Sequence, residues 1–435
     1  MLIQDSFNDP LGQTRHRKVF SCSGHPPSTN SKGMAYRTTV ENLRAVFYLL
    51  YFCLPNVILA LIIASRFSRW TKYTFLACYL YAGTFVSRYR TGHVWIDYSM
   101  GATLGGFYFS HLHLVTVDPL KQYRHKSDDP EMGPNKLSWA GRVYWVWCAI
   151  VSVRGVGWNY QMPHISTPRH ISRFKFILST LVKLVYYFFL VDLCQTILEV
   201  APFLQNTTAD FSIRLLPFPQ RVLAVVSWFL GGYAGIYFQY YTFALICVAV
   251  GYNSSVDWPA PFGHWVDAYS IRNFWSKTWH SFLRRLCMSP GRNLTRILGI
   301  PAKSLPASTI QLYTTFLVSA IVHSLGDFMI GRQYLGVSLP FFLIQPIGIT
   351  IEEVFKYFVR RYTRSGAHSR ASGSEPSSTV RVIGYIWVLW WFTATAPLLL
   401  DPATQVGFNK ERMFPFSPVS SVLASLYPSF FDGIA

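Results

Sequence analysis

Apolar positions in this chain fall in long, nearly unbroken runs, without the one-sided or alternating patterns of soluble elements. A helix needs roughly 20 such residues to cross a hydrocarbon layer of about 30 Å. Seven runs meet that length: Ala45–Ile63, Val94–Val117, Phe176–Leu198, Arg221–Val250, Ala307–Ile330, Ser338–Phe358 and Val380–Leu400. Tyr73–Ser87 is a shorter eighth, and Val143–Val153 is short enough to read as interfacial or re-entrant. The pattern predicts an all-α, polytopic transmembrane helical bundle of about eight spans. A polar segment, 1–42, precedes the bundle at 43–400, and a tail follows at 401–435. Arg221–Val250 is long for one crossing, but tilt absorbs the excess and two crossings would not fit. Arg364–Thr379, rich in Ser, Gly and Arg, reads as a flexible loop.

Composition agrees with burial in lipid. Hydrophobic residues make up 51% of the 435 and charged residues only 14%, against about 25% charged in soluble domains. The polar start lacks the early apolar core of a cleavable signal peptide, so the first apolar helix is expected to act as an uncleaved anchor. The seven cysteines form no C-x-x-C pair, and Cys53, Cys78, Cys148, Cys194 and Cys247 lie inside apolar runs, which argues against a disulfide frame or a metal site.

The net charge of +19 would suggest nucleic acid in a soluble protein. Here the cations sit between apolar runs, as in cytosolic loops, and no nucleic-acid partner is expected. Arg154–Lys175, Gly251–Pro306 and Val359–Thr379 are basic and expected to face the cytosol. Glu199–Gln220 is poor in cations, carries the sequon Asn206-Thr207-Thr208, and is expected in the lumen. Counting back through all eight runs places the basic N-terminus in the lumen, against the charge rule. Either Tyr73–Ser87 does not cross or Val143–Val153 does.

Two segments carry candidate chemistry. Thr315, Ser319, His323 and Asp327 recur every four residues and share one face of an apolar helix. An ionisable group at membrane depth is costly and usually meets a cavity or a partner. His323 is therefore either a general base or a structural histidine held by Asp327. The second segment, Asn273-Phe274-Trp275-Ser276-Lys277-Thr278-Trp279-His280 with Arg284 and Arg285, mixes rings and cations and is too polar to span. It suits either an interfacial anchor or a binding site for phosphates.

Together these segments, with Arg154-Gly155-Val156-Gly157-Trp158 upstream, resemble the wax-synthase-like branch of the membrane-bound O-acyltransferases. The likeness rests on an F-W-x-x-x-W-H block, a buried histidine 43 residues later at His323, and the R-G-x-G-W segment of fungal members; it extends over roughly Arg154–Phe328. Ser276 stands where relatives often have Gly. The resemblance implies a membrane protein, expected in the endoplasmic reticulum, that moves an acyl group from acyl-CoA to an alcohol. Many fungal relatives acetylate terpenoid or meroterpenoid metabolites, so acetyl-CoA and a hydrophobic alcohol acceptor are the expected substrates, with no tightly bound cofactor. The resemblance implies His323 as base and leaves open whether His280 is catalytic or positioning. In the expected mechanism Asp327 orients His323, His280 or Asn273 donates to the oxyanion, and Trp275, Lys277, Trp279, Arg284 and Arg285 hold coenzyme A. Two alternatives remain: wax-ester synthesis from long-chain acyl-CoA and a fatty alcohol, and transport along a path lined by His323 and Asp327.

Overall fold

The computed structural model describes residues 50–427 apart from 163–164, 166–167, 169, 202–211 and 366–376. The polar 1–42 segment, the sequon at Asn206 and most of the loop expected at Arg364–Thr379 lie outside the described residues. Among the described residues the regular structure is helical, and the β pairing there is an isolated bridge between His125 and Trp158. An apolar helix α1 (Leu50–Ala64) is followed by α2 (Arg69–Val86), α3 (Val94–Thr116) and α4 (Trp139–Val151). Two long helices come next, α5 (Arg173–Val200) and α6 (Phe218–Ala249). Then come α7 (Arg284–Ile297), α8 (Leu305–Ile330), α9 (Leu339–Ser365), α10 (Ser378–Thr395), α11 (Pro397–Val406) and α12 (Pro418–Leu426).

The starts of these helices follow local chemistry. Ser172, Ser304 and Ser377 each accept a first-turn amide, from Lys175, Ala307 and Val380 respectively. The last of these caps pulls Ser378 and Thr379 out of the expected loop and into α10. Pro397 ends α10, because it has no N–H and its ring crowds the preceding turn, and α11 leaves at 44°.

Among the described residues, four helical stretches are long and apolar enough to cross a membrane: α5, α6, α8 and Arg332–Val359, which includes most of α9. The bent pair α10–α11 makes a fifth if counted as one span. The chain is thus an integral membrane protein, with four or five spans by length and composition against the eight expected. The difference lies in Ala45–Ile63, Tyr73–Ser87 and Val94–Val117. All three are helical where described, but α1 is short, and α2 and α3, though long enough, are not apolar enough for a span. α3 instead buries Asp97, Gly101, Gly105, Ser110 and His111 against protein. The expected span Arg221–Val250 lies, up to its capping residue Val250, in one unbroken helix of 32 residues, Phe218–Ala249, as its length suggested.

The core has two centres that matter for the site. Phe274, Phe316, Phe341, Trp391 and Phe392 pack where α8, α9, α10 and the Trp275–His280 segment meet. Elsewhere α8 packs against α3 at very short range: a Cβ on Gly101 would lie 2.2 Å from the Leu325 carbonyl oxygen. Lipid offers little hydrophobic drive between helices, so small residues that let backbones approach are what fasten such a pair. The boundary expected at residue 400 falls inside α11. Beyond it, the Trp95 indole donates to the Phe408 and Glu411 carbonyls (both 3.1 Å), and Arg412 pairs with buried Asp192 of α5 at 3.1 Å. The expected tail is therefore part of the bundle.

Candidate functional site

The Trp275–His280 segment is held from three sides. Glu352 of α9, itself buried, accepts the backbone amides of Ile271 (3.2 Å) and Arg272 (3.3 Å), and the Ser270 hydroxyl accepts that of Asn273 (3.1 Å). These acceptors cap a short helical turn that widens into a π-helical turn over Phe274–Thr278, closed by Trp279 N–H donating to the Phe274 carbonyl at 2.7 Å. The wide turn places Trp275 and Trp279 inward. The Trp275 indole N–H reaches Gln345 Oε1 at 3.3 Å, an acceptor shared with Trp391 at 3.0 Å.

The Arg154-Gly155-Val156-Gly157-Trp158 block supports this segment from behind. Arg154 donates to Ser281 Oγ (3.2 Å), to the Pro259 carbonyl (2.8 Å) and to the Ala260 carbonyl (2.6 Å), which clamps both flanks of the loop that ends in His280. Burial pushes the Arg154 guanidinium below its usual pKa. Gly155 takes φ +67°, and a Cβ there would lie 2.5 Å from the Tyr160 ring, so only glycine turns the chain at this point.

A cavity of about 510 Å³ runs beside α8, within the usual range for small-molecule sites. Its lining on α8 extends from Ser308 to Ile330, about 33 Å along a helix at 1.5 Å per residue. Thr315, Ser319, His323 and Asp327 all line it, so the polar face expected from their spacing borders a cavity. Arg272, Ser276, Arg284, Ser308 and Gln311 belong to the lining, as do Trp95, Phe408, Val406 and Leu399. His323 is sandwiched. Phe342 stacks on its ring at 4.1 Å and 11°, and the Tyr98 hydroxyl lies 2.8 Å from Nδ1.

The expected site residues divide on this geometry. His323, Asp327, His280, Trp275, Trp279 and Arg284 share the cavity. Asp327 does not meet His323 directly: its carboxylate accepts the Ser338 hydroxyl (2.6 Å) and amide (2.9 Å), and Tyr98 takes the place at Nδ1 that Asp327 was expected to fill. Asn273, Lys277 and Arg285 are absent from the lining. Asn273 belongs to the capped turn. Lys277 faces a second cavity of about 300 Å³ and stands 4.0 Å from Asp267. Arg285 packs its guanidinium over Tyr160, 4.3 Å from the ring centroid, which leaves its terminal nitrogens dry. Tyr98 and Ser338 went unnoticed because a tyrosine and a serine at the edges of apolar runs carry no signal; only the approach of α3 to α8 gives them a role.

His280 is held neutral. Burial, reinforced by the Arg154 charge, lowers its pKa from 6.5 to about 4, and its Nδ1 is buried without a hydrogen-bond partner. Burial, and then Arg292, also lowers the pKa of Arg284, which donates to the Ser276 carbonyl at 2.8 Å. The cavity thus brings two imidazoles together, with cations and a ring-lined apolar interior along the same space.

Comparison with known proteins places these residues in a family. The profile of the membrane bound O-acyl transferase family matches residues 258–344, the stretch that contains both His280 and His323. Acetyltransferase eriL of Hericium erinaceus is 30% identical over 291 residues, covering 65% of this chain and 72% of its own. Acetyltransferase ple2 of Rhodocybe pseudopiperita is 28% identical over 381 residues, covering 85% and 93%. Acetyltransferase TRI7 of Fusarium sporotrichioides is 29% identical over 302 residues, covering 64% and 68%. A membrane bundle, a cavity bordered by a histidine of its long helix, and likeness to fungal acetyltransferases over most of the chain lead to one conclusion: this chain belongs to the membrane-bound O-acyltransferases and is an acyltransferase enzyme.

Proposed function

We propose that this enzyme transfers an acetyl group from acetyl-CoA to a hydroxyl of a hydrophobic terpenoid or meroterpenoid alcohol, at the endoplasmic reticulum. The observation that carries the reading is His323: an imidazole fixed at Nδ1 and on one ring face, bordering an apolar cavity shared with neutral His280. His323 Nε2 takes the hydroxyl proton, and the oxygen attacks the thioester carbonyl carbon. An N–H of His280 steadies the oxyanion. The carbon–sulfur bond breaks, and the imidazolium returns the proton to the thiolate, releasing coenzyme A and the ester. The thioester is already activated, so no acyl-enzyme is required.

Coenzyme A enters from the cytosol, where the basic loop 251–306 lies, with its phosphates near Arg272 and Arg284 and its pantetheine arm along the cavity. The acceptor occupies the space bounded by Trp95, Phe408 and Leu399. The names of the relatives support acetyl over longer donors. The test uses membranes from cells expressing the chain, incubated with radiolabelled acetyl-CoA or palmitoyl-CoA and a panel of terpenoid and fatty alcohols. Acetylated terpenoids are expected. Palmitoyl esters of fatty alcohols, with no acetyl transfer, would make the enzyme a wax synthase.

A further inference from the structure

Part of the cavity wall comes from a segment far from His323 in sequence. After α11, Gly407 takes φ +100°, a left-handed turn that favours glycine, and the chain reverses there. Phe408, the next residue, is fixed from two sides. Its amide donates to the Ala403 carbonyl at 3.1 Å, and its carbonyl accepts the Trp95 indole N–H, also at 3.1 Å. Three residues on, the Glu411 carboxylate accepts the Val94 amide at 2.6 Å, which ties the same segment to the start of α3. Three rings surround that of Phe408: Trp95 at 4.8 Å and 85°, Tyr98 at 5.5 Å and 84°, and Trp228 at 6.0 Å and 54°. All four rings line the cavity. The Tyr98 hydroxyl lies 2.8 Å from His323 Nδ1, so Phe408 stands one ring removed from the imidazole. The single N–H of Trp95 is shared between the Phe408 and Glu411 carbonyls, which leaves Trp95 and Phe408 no donor to offer a polar ligand.

We propose that Phe408 is the residue that sets acceptor size: with Trp95 and Trp228 it forms a fixed aromatic wall that seats the apolar, fused-ring body of the alcohol and limits its bulk beside the reacting hydroxyl. The proposal rests on the reading of this cavity as the acceptor site beside His323. A rigid ring body keeps its full contact with such a wall without losing rotamers, whereas a flexible chain must be ordered at a cost in entropy. The wall itself has little freedom to yield. Phe408 is 6% exposed, its backbone is bonded on both sides, and its edge-to-face contacts with Trp95 and Tyr98 are a favoured ring geometry. In a pocket of this kind one methylene changes the preference between substrates by about 10–200-fold. Were Phe408 core filling alone, changing it would alter stability and total turnover but not the order in which alcohols are preferred.

The test uses the full chain in phosphatidylcholine nanodiscs with acetyl-CoA and saturated alcohols of graded bulk: cyclohexanol, decahydronaphthol and perhydroanthracenol. The readout is the ratio of kcat/KM for the tricyclic alcohol to that for cyclohexanol, in which any loss of folded enzyme cancels. Phe408→Ala should raise this ratio about tenfold and Phe408→Trp should lower it by a similar factor, with KM for acetyl-CoA little changed in either. Ratios that stay the same, or that move in one direction in both variants, would overturn the proposal. A second measurement needs neither turnover nor a variant. Wild type is photolabelled with the tricyclic alcohol carrying a diazirine on the ring furthest from its hydroxyl, with and without an excess of the unlabelled alcohol. Displaceable label should appear on Phe408, Trp95 or Trp228, and its absence from all three would also overturn the wall. This labelling decides alone if the variants fail to fold or no ring alcohol is turned over. The base assignment fails separately, on an active His323→Ala enzyme, wherever the label lies.

Discussion

Arg154 reaches across 127 positions of sequence to hold Ser281, the residue after His280, at 3.2 Å from Nε to Oγ. The same guanidinium takes the carbonyls of Pro259 and Ala260, so one buried side chain sets the distance between the two arms of the loop that builds the cavity wall. Lysine has one nitrogen and no fork, and cannot make these bonds together. Arg154→Lys should therefore lower kcat by at least about tenfold and reduce the melting temperature in detergent, breaking a buried network. Unchanged turnover would show that the loop holds its shape without the clamp.

His323 borders the cavity with its Nδ1 and one ring face occupied. His323→Ala and His323→Gln should both lose about 10²–10⁴-fold in kcat, the usual share of a general base, while the protein accumulates in membranes at the normal level. Near-normal turnover of either variant would remove the base assignment.

His280 gives a pH prediction with a definite sign. Its pKa is about 4 when folded against 6.5 unfolded, so folding favours the neutral ring. The stabilisation it carries is complete above pH 6.5 and is lost as pH falls from 6.5 toward 4. In detergent the wild-type melting temperature should fall over that window more steeply than that of His280→Asn, which has nothing to protonate. Parallel curves would contradict a buried neutral imidazole.

The cations of the basic segment should separate in kinetics. Arg272→Gln and Arg284→Gln, on the cavity lining, should raise KM for acyl-CoA several-fold and leave KM for the alcohol nearly unchanged. Arg285 is packed on Tyr160 and away from the lining, so Arg285→Gln should cost stability and not donor affinity. A raised acyl-CoA KM for Arg285→Gln alone would place the phosphates elsewhere.

The unbroken 32-residue α6 fixes a topological test. A single cysteine at exposed Leu215, before α6, should be shielded from an impermeant thiol reagent in sealed microsomes. One at exposed Tyr252, after it, should be labelled, both in a background without the native cysteines. Labelling of both from the cytosolic face would mean that α6 does not cross and would undo the cytosolic entry of coenzyme A.

The sequence by itself determined what depends on local pattern. Apolar runs located the helices, because a chain in lipid must satisfy its backbone within each segment. The four-residue spacing from Thr315 to Asp327 was enough to identify a polar face on α8, since helical geometry alone puts those residues in line. The F-W-x-x-x-W-H block and His323 identified the family because both are short, local and rich in uncommon residue types. Span number was less legible: α3 is long but buries polar groups against protein, and hydropathy cannot distinguish that from lipid contact. Tertiary structure alone decided who touches whom. It brought Tyr98 to His323 through glycines at the α3–α8 contact, turned Asp327 toward Ser338, and set Arg285 against Tyr160 while leaving Arg284 at the cavity. It also folded Phe408 back onto the site from a segment that reads as a tail. Each of these depends on the distance between elements far apart in the chain, and that distance is set by packing, which no single stretch of sequence encodes.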